Sequence, residues 1–346
     1  MKIRISAIVL TFFLVSNISA QVPKSFYQNY ESQPQKTDKR IGLEDSLVSI
    51  GPKITLSDFE LYELAFLTVD SKGNIAGYDY QLEHIVYFPH DSLSDIKLLG
   101  NGVGNGPKEF RYPSDVKFDK DGNIWVTDKN ASRITKWSPS GELLKSLPAN
   151  RNYVRPAKLA VCNFKLYTVS EQYLPSGVMS VLTKGGKLLN SFQKIEDRMQ
   201  RFPAYMNGEV TCHNENLFIV GSYKNYIRKY DSGGSIIFSR SVQSFEPNKE
   251  PMVTKDGKWY TRSDDARRVS GDVWVRNNKL YAGFSGNKNS WYYCLDTYNI
   301  EDGGYLRSYI FNHPVEDFTM SDTKIFVIEW DSKNDNRRLA VYKLPN

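Results

Sequence analysis

The chain has 346 residues, 40% of them hydrophobic and 24% charged, with a formal charge of +6. Setting aside Lys2 and Arg4, which sit in the leader described next, lowers that charge to +4. With no basic run anywhere, so mild an excess excludes nucleic acid as a partner and suggests anionic ligands or none. A length of this order usually means two domains, although β-rich rings of comparable size form one.

Lys2 and Arg4 precede an apolar run from Ile5 to Val15. That run is too short for the roughly 20 residues that span a bilayer. Small residues follow, ending in Asn17-Ile18-Ser19-Ala20 before Gln21. Residues 1–20 read as a secretory signal peptide cut after Ala20. No cysteine lies near the cut, so a bacterial lipid anchor is not expected. The mature protein is expected in the periplasm or outside the cell. No later segment is long and apolar enough to be a membrane span. Residues 21–44 are polar and aperiodic, and a flexible lead-in is expected there.

The next pattern is a repeat. It is clearest over Pro113–Leu147, where short strands are expected at Ser114–Phe118, Ile124–Thr127, Arg133–Trp137 and Leu143–Leu147. "DKDGN" and "SPSG" supply the tight turns, with Gly122 at a position that wants a positive φ. Four antiparallel strands joined in this way make one propeller blade. The unit recurs about every 45 to 50 residues, a spacing typical of repeat architectures. Its core of turn plus second strand reads "KGNIAGY", "DGNIWVT", "NFKLYTV", "NENLFIV", "NNKLYAG" and "DTKIFVI" in chain order. The expected fold is all-β: a six-bladed β-propeller of four-stranded antiparallel blades in one domain, residues 45–346.

The last blade stops after its third strand, at Leu344. An open strand edge invites aggregation. The missing strand is expected from Ser46–Ile50 or Lys53–Leu56, so that an N-terminal strand closes the ring. One segment departs from the period. Glu246–Ser270 is an excursion between the fourth and fifth blades, with "KDGKWYT" imitating a blade turn. Long loops in compact folds are often functional; a degenerate seventh blade is the alternative.

Three cysteines, Cys162, Cys212 and Cys294, are far apart and odd in number. They suggest neither a disulfide framework nor a zinc site, and buried thiols are expected. Cys162 and Cys212 do occupy equivalent places in successive repeats.

The glycines at 100, 102, 104 and 106 alternate, and Pro107 and then strands follow them. A dinucleotide fingerprint needs different spacing and a helix. Without a helix N-terminus the main reason to bind phosphate is missing. The stretch reads as the joint between the first two blades. "DKDGN" fails as a calcium loop, because positions 6 and 12 counted from Asp119 hold Ile124 and Asn130. Asp119 and Asp121 are turn-formers.

The stretch "GNGPKEFRYPSDVKFDKDGNIWVTDKNASRITKWSPSGELL" resembles an NHL-type repeat. The whole mature chain, residues 45–346, resembles the TolB-like six-bladed propellers exported by Bacteroidetes-type bacteria. "GDVWVRNNKLYAGFSG" and "DFTMSDTKIFVIEW" match their later blades. The resemblance implies the fold and says little of function. Members are often lipid-anchored; lacking the cysteine, this chain is expected to be soluble and monomeric.

Blade geometry sorts residues by face. Inter-blade loops and second-to-third turns share one face; first-to-second and third-to-fourth turns share the other. His213 and His90 then fall on one face and His84 and His313 on the other, too scattered for a metal site of three or four ligands. No G-x-S-x-G elbow is present. The inter-blade loops instead carry a basic residue, usually beside an aromatic one: Arg111-Tyr112-Pro113, Tyr153 with Arg155-Pro156, Arg201-Phe202-Pro203, Arg267-Arg268 and His313-Pro314. Asp128, Tyr173, Lys224, Trp291 and Trp330 join them from second-to-third turns. Either the arginines cement blades together, or they converge on the channel mouth. Arginine forks suit oxyanions, and aromatic faces suit sugars or extended peptides. The leading expectation is a non-catalytic binding module for an acidic saccharide, peptide or protein loop, with no cofactor. The alternative is a propeller lyase or lactonase with calcium on the axis.

Overall fold

The structure is a computed structural model that describes residues 33–36, 40–42, 46–51, 53–90, 95–149, 153–171, 177–193, 208–221, 226–243, 252–253, 259–260, 270–284 and 292–345. Residues 1–20 lie outside these.

Strand β1 (Ile54–Thr55) runs into a short 3-10 turn, Leu56–Phe59. Four four-stranded sheets follow in chain order. The first holds β2 (Leu64–Val69), β3 (Ile75–Asp79), β4 (His84–Phe88) and β5 (Lys97–Leu99). The second holds β6 (Pro113–Phe118), β7 (Ile124–Asp128), β8 (Arg133–Trp137) and β9 (Leu143–Pro148). The third holds β10 (Pro156–Val161), β11 (Lys165–Ser170), β12 (Met179–Thr183) and β13 (Leu188–Phe192). The fourth holds β14 (Gly208–His213), β15 (Asn216–Gly221), β16 (Ile227–Tyr230) and β17 (Ile236–Arg240). Within the excursion, β18 (Met252–Val253) and β19 (Trp259–Tyr260) pair as a hairpin. The remainder is one seven-stranded sheet: β20 (Ser270–Arg276), β21 (Lys279–Phe284), β22 (Tyr292–Asn299), β23 (Tyr305–Met320), β24 (Lys324–Asp331), β25 (Asn336–Lys343) and then β1.

Turn chemistry sets these boundaries. Asp119 Oδ1 accepts the N–H groups of Asp121 and Asn123, both at 3.0 Å, and Gly122 takes a φ of 79°. Such a turn returns the chain antiparallel at once. Burial then grades outward. β7 is buried at every position, whereas β9 is largely open. A strand covered on both faces needs an unbroken apolar run, which is why "IWVT" shows no polar alternation. Its sheet packs on both neighbours: Val126 clusters with Ala76 and Tyr78, while Trp125 clusters with Leu159 and Leu166.

First strands touch in sequence: β2 with β6, β6 with β10, β10 with β14, β14 with β20, β20 with β23, and β23 with β2. The arrangement is that of propeller blades. Strand β23 belongs to two of them. It pairs with β22 from Tyr298↔Tyr305 to Cys294↔Ile310 and again at Tyr292↔Val315, and with β24 from Val315↔Glu329 onward. Asn312-His313-Pro314, expected as an inter-blade loop, lies inside this strand where the register with β22 jumps. Pairing on both flanks keeps the backbone extended through the proline, at a position where its missing N–H breaks no ladder.

The sequence pointed to 46–50 or 53–56 as the partner of the last strand, and both engage it. Ile54 pairs with Leu339 and Thr55 with Arg338. Ahead of them the Ile50 N–H donates to the Val341 carbonyl (2.7 Å) and the Lys343 N–H to the Val48 carbonyl (2.9 Å). The described part of the lead-in is docked too. Gln33 bridges Arg240 in parallel, and Gln35 Nε2 donates to the carbonyls of Ser241 (2.6 Å) and Gly303 (3.1 Å). Arg40 is the anchor. Its guanidinium grips Asp296 with two hydrogen bonds (3.0 and 2.9 Å), donates to the Gln243 carbonyl (2.7 Å) and lies 3.6 Å over the Phe284 ring. Burial works against its charge, but Asp296 outweighs that and raises its pKa. The described residues between 33 and 51 thus form a strap against the fourth sheet and the last one.

One expectation fails outright. Cys162 and Cys212 are not free thiols but a disulfide, with Cα atoms 5.8 Å apart. Both end regions of first strands, β10 and β14, which lie side by side. Equivalent places in adjoining repeats are neighbouring places in space. Cys294 is the free, buried thiol.

Candidate functional site

The axis is where the first strands meet. β6, β10 and β20 carry a register shift near their start, between Pro113 and Asp115, Pro156 and Lys158, and Gly271 and Val273, and β23 carries one where its pairing with β24 begins, between Val315 and Asp317. A bulge re-aims a side chain. Three of the strands use it to reach their neighbour's backbone. Asp115 Oδ2 accepts the Leu159 N–H (2.8 Å), Asp317 Oδ2 the Leu67 N–H (2.9 Å) and Asp272 Oδ2 the Phe318 N–H (3.4 Å). Each carboxylate stitches its blade to the next. Their charge is answered locally. Lys117 sits 2.9 Å from Asp115, and Lys158 sits 2.8 Å from Glu209. Lys117 also lies over Trp274 (5.1 Å) and Lys158 over Phe66 (5.3 Å). Burial opposes the Lys117 charge, yet Asp115 outweighs it and raises the ammonium pKa. These groups are all buried or half-buried.

Asp272 and Asp317 lie close together, with the Lys117 ammonium near enough to act on both. Burial, then the charge and hydrogen bond of Asp272, push the Asp317 carboxyl well above its usual range. Desolvation and a neighbouring like charge both favour the neutral form of the carboxyl. The sign of the linkage follows. The unfolded chain ionises Asp317 near its ordinary value while the folded chain resists, so stability falls as pH rises from that value to the raised one. Asp317→Asn keeps an acceptor for Leu67 and takes away the ionisable group. Its melting temperature is expected to exceed wild type at neutral pH, by about 2 °C per kcal/mol gained in a chain this long. The advantage should vanish near pH 4. A calorimetric pH series checks both; a variant less stable at neutral pH would contradict the raised Asp317 pKa.

On the loop-rich face, Asp128 organises the first cluster. Its two oxygens accept the N–H groups of Arg111 (2.8 Å) and Tyr112 (3.0 Å), holding the inter-blade loop against the second-to-third turn. The Arg111 side chain is exposed and in no ion pair among the described residues. Tyr112 is 43% exposed, lies 5.6 Å from the Tyr80 ring and carries the Lys129 ammonium 4.6 Å above its own. Arg155 is already engaged: its fork reaches Glu171 (3.1 Å), which also holds Lys129 (2.7 Å). Tyr153 is buried, and its hydroxyl donates to the carbonyls of Leu147 (3.0 Å) and Pro148 (2.8 Å). Burial pushes its phenol up to about 12. Tyr153 is packing and Arg155 is cement; Arg111 and Tyr112 are open to a ligand.

A second cluster lies around the last sheet. Trp330 is half-buried with Arg337 5.8 Å over its ring, and Arg337 is held by Glu316 at 2.7 Å. Half-buried His313 lies near Glu329, which binds Lys53 (2.9 Å), Arg338 (2.7 Å) and the Tyr342 hydroxyl. Despite burial, those donors hold the Glu329 carboxyl below its usual range. Arg201, Phe202, Arg267 and Arg268 lie outside the described residues, as do Tyr173, Lys224 and Trp291. No three or more His, Cys, Asp and Glu side chains converge as metal ligands among the described residues.

The alternating glycines form a closed joint. The Gly104 N–H donates to the Phe110 carbonyl (3.0 Å), and the Phe110 N–H donates back to Gly102 (2.8 Å). Glu109 accepts the Gly106 N–H at 2.7 Å, and a Cβ on Gly104 would collide with that same carboxylate. The loop is occupied by its own anion. Sequence reasoning missed the axial acids, although "PSDV", "SGDV" and "VEDF" repeat them, because a bulge breaks the alternation that marks an inward side chain.

The NHL repeat family matches over residues 110–137, which is β6 to β8 and the residues just before them. Among solved structures, an exported-type protein of Bacteroides fragilis superposes with a TM-score of 0.56 at 14% identity, covering 91% of this chain and 99% of that one. Virginiamycin B lyase of Staphylococcus aureus, in a catalytically inactive form with quinupristin, superposes at 0.53 and 14% identity, covering 82% and 80%. The selenomethionine form of that enzyme gives 0.53 at 12%, covering 85% and 99%. No curated protein matches the sequence. No helix of the described residues is long and apolar enough to cross a membrane. The repeat match and the superpositions agree on one fold, an NHL-like propeller.

Proposed function

We propose that the protein is an exported six-bladed propeller that binds an anionic macromolecule or saccharide on its loop-rich face without catalysing a reaction. The count of six treats the seven-stranded sheet as two blades sharing β23, in line with the cycle of first-strand contacts. A Bacteroides neighbour described as exported supports the location. The observation that carries the binding reading is the contrast between axis and face. On the axis, Lys117 and Lys158 are committed to Asp115 and Glu209, whereas on the face Arg111 and Tyr112 project into solvent. The alternative, a lyase or lactonase with calcium on the axis, is less supported, since Asp115 and Glu209 there already pair with lysines. The lyase neighbours share the fold at identities of 12 to 14%.

Retention on immobilised polygalacturonate tests the reading. Arg111→Ala/Tyr112→Ala is expected to weaken retention on the order of tenfold, the loss of one charge-assisted fork and an aromatic platform. Arg155→Ala, whose fork is spent on Glu171, should leave retention near wild type. If the double variant elutes with wild type, Arg111 and Tyr112 are not the contact.

A further inference from the structure

The opposite face carries a cavity that the loop-face reading does not use. It measures about 320 Å³ and lies where the first sheet meets β23 and β24. That is the low end of the roughly 300–1,000 Å³ typical of small-molecule sites. Three turns build it: Asp70–Gly73 after β2, Ser321–Lys324 after β23, and Arg276 at the end of β20. His90 adds a wall and Phe326 an apolar floor.

The lining is rich in donors, and its acids are committed. Asp70 Oδ1 accepts the N–H groups of Lys72 and Asn74 (2.9 Å each), and Oδ2 accepts Asn74 Nδ2 (2.7 Å). Asp322 lies 3.5 Å from Arg276. Neither Lys72 nor Lys324 is in an ion pair among the described residues. The hydroxyls of Ser71 and Thr323 line the same space. Two lysines without partners, an imidazole and hydroxyls around a small hollow suit a compact molecule that pairs an oxyanion with hydroxyl groups.

We propose that this cavity binds a small hydroxylated oxyanion, a sugar phosphate or a sugar carboxylate, with Lys72 and Lys324 holding the anionic group. The site is independent of the loop face and stands whether or not that face binds.

Titration calorimetry with glucose 6-phosphate, glucuronate and neutral glucose tests it. At least one anion is expected to bind, and glucose to bind on the order of tenfold more weakly or not at all. Which anion binds identifies the oxyanion. Lys72→Gln/Lys324→Gln removes two exposed or half-buried charges and should fold; it is expected to lose binding on the order of tenfold. The charge-matched pair Lys165→Gln/Lys187→Gln, on the third sheet, should bind as wild type. Binding of neither anion, equal binding of glucose, or equal loss in both lysine pairs would overturn the proposal.

Discussion

A chain that begins at Ser57, without the strap and β1, is expected to lose cooperative unfolding or to melt tens of degrees lower. The deletion strips β25 of its partner and uncovers a core. Leu56 is fully buried and Leu47 2% exposed, and Ile50 and Ile54 pack against the same region. Restoring such side chains to water costs about 1.5–3 kcal/mol each. The total is on the order of 5–10 kcal/mol, comparable with the whole stability of a typical domain. The deletion also leaves Asp296 buried with only Ser308 (2.5 Å), Tyr298 (3.3 Å) and the Cys294 thiol against it. Arg40→Met isolates that part. Breaking a buried ion pair from one side costs about 3–5 kcal/mol. Denaturant titration of both variants reads the two contributions apart. Wild-type stability in the deletion would mean that the strap is a passenger.

The second large effect belongs to the disulfide. Cys162–Cys212 closes a loop across a sequence separation of 50 and ties the third sheet to the fourth. Cross-linking a loop of that length removes unfolded-chain entropy worth about 4 kcal/mol in the polymer estimate. Cys162→Ser/Cys212→Ser should lower stability by about 2–4 kcal/mol, and a reductant should bring wild type down to the same value. Cys294 is a poor exchange partner: burial, then Asp296, pushes its thiol up, and the thiolate is the reactive form. Identical melting of wild type with and without reductant would show that the bridge does not form. Disulfides persist in oxidising compartments, in keeping with the proposed export.

Much of this architecture is visible in the residues because it is local. Gly122 and Gly141 mark turns, the apolar run at Ile124–Val126 marks a strand covered on both sides, and the second sheet falls within a residue or two of expectation. What is not visible depends on partners far along the chain. Arg40 stands in a polar, aperiodic stretch, and its meaning lies in Asp296. Asp317 looks like one more strand acid until Asp272 faces it. Cys162 and Cys212 needed one further step, from equivalence in the repeat to adjacency in space. On the loop face, residue types were legible but commitments were not: Arg111 and Arg155 read alike, and only Glu171 tells them apart.

The pairing of Ile54 with Leu339 also orders events in time. A nascent chain makes Ile54 long before Leu339. The sheet they share cannot form until Leu339 has been made, because so non-local a contact must wait for both partners. Until then the early strand has no mate, and the seven-stranded sheet lacks its outermost member.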